Sequence, residues 1–395
     1  MAIKPPVSRR ARRAIAIPAI ALAACAALAA CSSSSSSSTT TPSSSAPASS
    51  PAAASASSTA AAASLPTAPA AGAASLSETG STLLYPLFNL WVPDYKSMFS
   101  QVTITTAGTG SGTGISSAAG GTADIGASDA YLSPADVTKY PGLENIPLAI
   151  SAQMINYNLP DFKGTVKLDG TVLAEMYQGK ITMWNDPAIA KLNPGVTLPA
   201  IKVVPLHRSD SSGDTFLFTT YLSKQDSAWS SSVGYDTTVA WPSVSSELAF
   251  KGNSGMVTGC KANPGCIAYI GISYKSKTDA AGLGEAQVAN GGGQYELPTT
   301  ATIAAAAASF ATIPANGAIS LIDSSASGAY PIINYEYAIV NSSQSSAAKA
   351  EDIKALLYWA ITSGNASKYL SQVNFQPLPA VAVSASTALI AKIGS

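Results

Sequence analysis

An α/β architecture with mainly parallel sheets, arranged as two lobes, is what this sequence predicts. Three observations carry that prediction. Short β-branched and apolar runs alternate with helix-like segments through most of the chain. About 320 of the 395 residues remain after an export leader and a low-complexity stretch are set aside, which is large for one core and ordinary for two lobes. Polar, small-residue turns stand between apolar runs and helix starts, where α/β sheets place their ligands.

Taken in order, Val102-Thr103-Ile104-Thr105 alternates as a strand. Ile146 to Ile150, Met154 to Tyr157 and Ile201 to Val204 are short apolar runs of the same kind, and Ile332 to Val340 is the longest. Leu83 to Tyr95, Gly170 to Tyr177, Thr215 to Lys224 and Glu351 to Tyr369 have the pattern of helices. No internal repeat is visible.

Residues 1–13 carry Lys4, Arg9, Arg10, Arg12 and Arg13 with no acid, and an Ala/Ile/Leu run follows to residue 30. That is the layout of an export signal, and the run is thin for a membrane span. Leu28-Ala29-Ala30-Cys31 resembles the lipobox of bacterial lipoproteins, which makes Cys31 the expected acylated residue; Leu22-Ala23-Ala24-Cys25 is a second match. The expected location is therefore the cell envelope, lipid-anchored to the outer face of the membrane. Residues 31–74 are almost wholly Ser, Ala, Thr and Pro, a disordered tether spanning about 35–40 Å.

The whole chain has 22 basic and 22 acidic residues, but removal of residues 1–30 takes five basic ones and leaves 17 against 22. A mature chain at −5 argues against nucleic acid or a polybasic membrane patch. Cys260 and Cys266 flank Pro264-Gly265 and read as a disulfide in an exported chain. With one histidine, His207, and the other two cysteines in the leader, neither a metal nor another cofactor is expected.

The chemistry concentrates in Arg208-Ser209-Asp210-Ser211-Ser212-Gly213-Asp214-Thr215-Phe216. A guanidinium beside a small-residue turn that opens a helix suits an oxyanion, because helix N-terminal N–H groups are unpaired and sit at the positive dipole end. Three further turns have the same character: Gly80-Ser81-Thr82, the glycine loop Gly108 to Gly114, and Asp124 to Asp129. The glycine loop can aim several N–H groups at one anion. It lacks both the third glycine of a dinucleotide fingerprint and the Gly-Lys-Ser/Thr of a Walker A loop. His207, Ser209 and Asp210 are too close in sequence to form a hydrolase triad, since neighbouring side chains diverge. Trp91, Trp184 and Trp241 read as packing residues.

These turns carry a resemblance. Gly80-Ser81-Thr82, Gly110-Ser111-Gly112, Gly126-Ala127-Ser128-Asp129, Trp184-Asn185-Asp186-Pro187, Asn193-Pro194-Gly195 and Arg208 to Thr215 occur in the order found in the PstS family, the substrate-binding proteins of phosphate ABC transporters. The similarity runs from about Leu76 to the C-terminus, and it is closest to the surface-lipoprotein branch. It implies a two-lobed periplasmic-binding-protein fold of type II, with lobe I from residues 75–149 and 331–395, lobe II from 150–330, and a hinge of two strands crossing near 150 and 330. It further implies phosphate held in the cleft by Thr82, Leu83 (backbone N–H), Ser111, Asp129, Arg208, Ser212 and Gly213 (backbone N–H), and passed to permease subunits without catalysis.

Asp129 is expected to read a proton on the ligand, because a carboxylate accepts and cannot donate. Phosphate near neutral pH offers that proton, whereas sulfate and molybdate do not. Asp214 departs from the family, which often has threonine there. It is either a second proton acceptor or a first-turn acid that stabilises the helix dipole while pointing away. The rival readings are a receptor for another tetrahedral oxyanion and a surface phosphate-ester hydrolase.

Overall fold

The computed structural model describes residues 64–394, so the leader, Cys31 and the tether as far as residue 63 lie outside the described residues. Among them are twelve strands. The first six are β1 (Ala74–Gly80), β2 (Val102–Gly108), β3 (Ile125–Ser128), β4 (Leu143–Tyr157), β5 (Lys167–Leu168) and β6 (Val204–Arg208). The others are β7 (Leu248–Phe250), β8 (Cys266–Gly271), β9 (Gly284–Glu285), β10 (Gln287–Ala289), β11 (Tyr295–Glu296) and β12 (Ile333–Asn341).

The strands run in the order β2-β1-β3-β12-β4-β8-β6-β7, with β9 also paired to β4; β11, β10 and β5 make a small separate sheet. β1, β2 and β3 are mutually parallel, as are β6, β7 and β8. β4 joins these two parallel groups. Its Leu143–Ala152 half pairs antiparallel with β12, and its Gln153–Tyr157 half pairs antiparallel with β8. The sequence reads two short runs here, Ile146–Ile150 and Met154–Tyr157, separated by polar residues. They are one strand because Ser151 and Gln153 are fully buried and find partners: the Ser151 hydroxyl donates to Asn334 and Glu336, and the Gln153 N–H donates to the Ile332 carbonyl.

The strand leading to Arg208 starts at Val204, whereas the sequence suggests Ile201; Lys202 makes only an isolated bridge to Met183. Pro205 is accommodated because it lies next to the strand's first residue. The helix over Gly170–Tyr177 matches its sequence range, and the one near Leu83 runs Tyr85–Met98. The latter has Pro86 in its first turn and turns Leu87, Phe88, Trp91 and Tyr95 inward, the spacing of one helix face. The expected long helix Glu351–Tyr369 is instead Ala347–Ile361 followed by a 3-10 turn and a short helix, with the break at Thr362-Ser363-Gly364.

Trp91 and Trp184 are buried, and each indole N–H donates to a backbone carbonyl, of Gly364 and Gly265 respectively. Trp241 stacks on His207 at 4.8 Å. The expected tether to residue 74 ends sooner: Ala74 opens β1, the Ala70 N–H donates to Asp352, and Leu65 packs against the core, so these residues belong to the folded domain. No helix among the described residues is long and apolar enough to cross a membrane.

Five parallel strands of the large sheet end at the same region. β1, β2, β3, β6 and β7 lead at their carboxyl ends into turns containing Ser81-Thr82, Gly110-Ser111, Asp129, Ser209 to Ser212, and Gly252-Asn253. Gly80 is required at the first turn. Its φ is +145°, and a Cβ there would lie 2.0 Å from the Ala127 carbonyl oxygen.

Cys260 and Cys266 form a disulfide that ties the end of the Gly252–Ala262 helix to the start of β8. So short a closed loop constrains the unfolded chain modestly. Replacing both cysteines by serine is expected to lower unfolding free energy by about 2 kcal/mol, read from urea denaturation midpoints. An unchanged midpoint would contradict it.

Candidate functional site

Four helices open onto one buried point. They start at Tyr85, Ser111, Gly213 and Gly252, two from each parallel strand group. Their first-turn N–H groups have no intrahelical partner and concentrate positive partial charge there. Side chains complete the setting. Ser81 Oγ accepts from the Leu83 and Leu84 N–H groups at 3.0 and 2.9 Å and donates its own proton to Asp129 Oδ1. Ser212 caps the Gly213–Gln225 helix through the Thr215 N–H.

Arg208 lies at the end of β6 with its side chain 1% exposed. Nε and Nη2 donate to the two oxygens of Asp210, the first at 2.7 Å, and Nη1 donates to Asp214 Oδ2 at 2.6 Å. Asp210 also accepts from the Gly252 N–H at 3.1 Å, so one carboxylate orients the guanidinium and the start of a second helix. Burial opposes the arginine's charge, but the two carboxylates outweigh it and its pKa is raised. Burial also pushes Asp210 upward, yet the Arg208 bond and charge hold it below the usual carboxylate range.

On the opposite side, Asp129 Oδ2 accepts from Ser111 Oγ at 3.3 Å. Gly213 lies against this pair; a Cβ on it would come within 2.5 Å of Asp129 Oδ2 and 2.6 Å of Ser111 Oγ. Only glycine lets the helix start approach so closely. Thr82 Oγ1 accepts from Asn253 N and Nδ2 at 3.2 and 3.0 Å, and the same Nδ2 donates to Asp214 Oδ2 at 2.7 Å. The Leu83 carbonyl accepts from Ser273 Oγ, and the Gly112 N–H donates to the Ser211 carbonyl.

The structure therefore brings together all eight residues singled out in the sequence: Thr82, Leu83, Ser111, Asp129, Arg208, Ser212, Gly213 and Asp214, every one buried. Asp214 is not turned away to solvent. It is fully buried, bonded to Arg208 and Asn253, and receives Gln153 Nε2 at 3.3 Å. Three functional neighbours escaped the sequence reading: Ser81 as a donor to Asp129, Asn253 as the link between Thr82 and Asp214, and Gln153. For Asn253 a signal existed, since Lys251-Gly252-Asn253 follows a short apolar run just as Ser209 to Ser212 does. Arg208 also had one more signal, being the only arginine after residue 13.

Burial and the negative charge of Asp129 push the Asp214 carboxyl up to about 7, against the attraction of Arg208. Burial likewise raises Asp129, against bonds from Glu336, Ser81 and Ser111 and the charge of Arg208. Such a site can hold a compact oxyanion by hydroxyl, backbone and guanidinium donors, and it can accept a proton that the anion carries.

The raised Asp214 has a stability consequence. Unfolded, it loses its proton near the ordinary carboxylate value of 3.8; folded, it keeps the proton to about 7. In that window the native state binds more protons than the unfolded state, so stability falls as pH rises. Ligand-free wild type is expected to lose stability relative to Asp214→Asn between about pH 4 and 7, measured by thermal denaturation at stepped pH. A difference that stays flat across that range would refute the assignment.

Residues 48–363 match the PBP superfamily domain. The chain is 34% identical over 313 residues to the phosphate-binding protein PstS of Methanocaldococcus jannaschii, covering 74% of this chain and 80% of that protein. It is 31% identical over 316 residues to PstS of Xylella fastidiosa, covering 80% and 84%. Among solved structures, it is similar to a phosphate-bound, high-affinity periplasmic phosphate-binding protein, with a TM-score of 0.63 and 19% identity over 79% of this chain and 92% of that one. A phosphate-binding protein from Stenotrophomonas maltophilia gives a TM-score of 0.60 at 18% identity, over 80% and 93%. The structural likenesses establish the two-lobed type II periplasmic-binding-protein fold, and the sequence relationships go further: the chain belongs to the PstS family of phosphate-binding proteins.

Proposed function

We propose that this protein binds inorganic phosphate between its lobes, outside the membrane, and delivers it to the permease of an ABC-type phosphate transporter. The observation that carries this reading is Asp129, a buried carboxylate beside the Gly213 helix start, set among hydroxyl, backbone N–H and guanidinium donors. In it, Thr82, Ser111 and Ser212 supply hydroxyls, Leu83 and Gly213 supply N–H groups, and Arg208 supplies the charge. Asp129 accepts the ligand's proton, and Asp214 is a second acceptor. Lobe I comprises residues 75–149 and 331–395 and lobe II residues 150–330. The contacts come from both lobes, so the anion favours the closed form over the open one.

The protein acts as a receptor and not as an enzyme. Residues 1–30 direct export, Cys31 carries the lipid anchor, and the Ser/Ala/Thr/Pro-rich residues 31–63 are the tether that lifts the binding domain off the membrane surface. The Cys260–Cys266 disulfide suits the oxidising side of that membrane.

Calorimetric titration of anion-stripped residues 64–395 with phosphate and then sulfate tests the reading. Wild type is expected to bind one phosphate and no sulfate. Asp129→Asn places a donor where the ligand's proton must be accepted, and is expected to weaken phosphate binding by about 10- to 100-fold while narrowing the preference over sulfate. Equal binding of both anions by wild type would remove the role given to Asp129, and no binding of either would remove the proposed function.

A further inference from the structure

Glu336 lies on β12 and is completely buried, yet no cation among the described residues is paired with it. Its Oε1 accepts from Ser151 Oγ at 2.5 Å and from Asn334 Nδ2 at 3.0 Å. Its Oε2 receives no donor from the described residues. Asn334 Nδ2, which donates to Glu336 Oε1, also holds the Asp129 carbonyl at 3.2 Å, so Glu336 and Asp129 are neighbours and each acts on the other's titration. The β12–β4 ladder is irregular at this point. Glu336 pairs with Ala149 and Tyr337 with Pro147, so Leu148 is an extra residue opposite them. Bulges of this kind re-aim side chains, and this one stands where β12 passes the site.

Two neighbouring carboxyl groups away from water cannot both be charged without a large cost. A bare buried oxygen without a donor is costly as well. One proton on Glu336 Oε2, shared toward Asp129, resolves both problems. We propose that Glu336 is held in its acid form as a hydrogen-bond donor to Asp129, and that this donor positions the Asp129 carboxylate as an acceptor that reads the ligand's proton. The inference rests on the phosphate-receptor reading for its functional half only; the proton itself can be tested without ligand.

The surroundings place the proton on Glu336 and leave Asp129 ionised. Asp129 already accepts from the Ser81 and Ser111 hydroxyls and feels the charge of Arg208. Glu336 faces Asp129 from the end of β3 and Tyr337 along its own strand. The helices packed on β12, Ser111–Ala119 and Thr300–Ala308, bring no titratable side chain, and neither does β4 between Asn145 and Met154. Burial and the charge of Asp129 accordingly drive the Glu336 carboxyl far above its ordinary range. If Asp129 itself carried the proton, the site would present a donor there and would suit sulfate as well as phosphate.

The test uses two variants and two readouts. Infrared difference spectroscopy of ligand-free protein near neutral pH, wild type minus Glu336→Gln, is expected to show the carbonyl band of a protonated carboxylic acid, shifted in D2O. Absence of that band from the difference spectrum would overturn the proposal. In calorimetry, Glu336→Gln keeps a donor toward Asp129 and acceptors for Ser151 and Asn334, and is expected to bind phosphate within about threefold of wild type. Glu336→Ala removes the donor and is expected to lose about tenfold or more, with a reduced preference over sulfate. Equal affinities for Glu336→Ala and wild type, or a Glu336→Gln variant as weak as Glu336→Ala, would also overturn it. A wild type that binds neither anion would instead count against the phosphate-receptor function, and the infrared band would still decide the protonation.

Discussion

A single guanidinium among several buried carboxyl groups is the constraint on which the rest of this site depends. Arg208 bonds directly to Asp210 and Asp214, and Asp129 and Glu336 lie one step further out. In surroundings this dry, Coulomb interactions are far stronger than in water, and excess negative charge cannot be hidden by solvent. Burial and the charge of Asp129 shift Asp214 and Glu336 upward, and the protons they hold reduce the charge, while Asp210, doubly bonded to the guanidinium, is shifted down. An anion entering such a site meets a fixed inventory of protons as well as a shape.

The attraction for that anion is supplied locally. Residues 31–395 carry 17 basic and 22 acidic side chains, so no long-range positive field from them draws a ligand in. Backbone N–H groups at helix starts are short-range donors whose directions are set by the fold, and they lose little freedom when they engage a ligand. Their convergence depends on close packing between the two parallel strand groups. Gly213 against Asp129 and Ser111 is the tightest example, and the Gly112-to-Ser211 bond runs beside it.

Much of this arrangement was legible in the sequence. The alternation of runs gave the α/β class, and the polar turns after apolar runs located the Thr82, Ser111, Asp129 and Arg208 segments, because strand ends and helix starts have local signatures. The union of Ile146–Ile150 with Met154–Tyr157 was not legible. Ser151 and Gln153 look like loop residues until their partners at Asn334, Glu336 and Ile332 are known, and those partners are about 180 residues away. Asn253 and Glu336 were missed as site residues for the same reason. Each acts through a side chain from a distant segment; nothing near Glu336 announces it, and Asn253 offers only its place after a short apolar run. The two readings of Asp214 differed only in where its side chain points, which local pattern does not specify.

β4 carries a consequence of another kind. One continuous strand contributes its first half to the β12 ladder and its second half to the β8 ladder. Neither lobe can therefore be cut out as an independent domain, since severing the chain near residue 152 would strip a central strand from one sheet and leave unsatisfied edges open to aggregation. Melting of one lobe frays the strand that the other needs, so the two lobes are bound into one cooperative unfolding unit. The strand shared between the two ladders is thus the element that ties the stabilities of the lobes together.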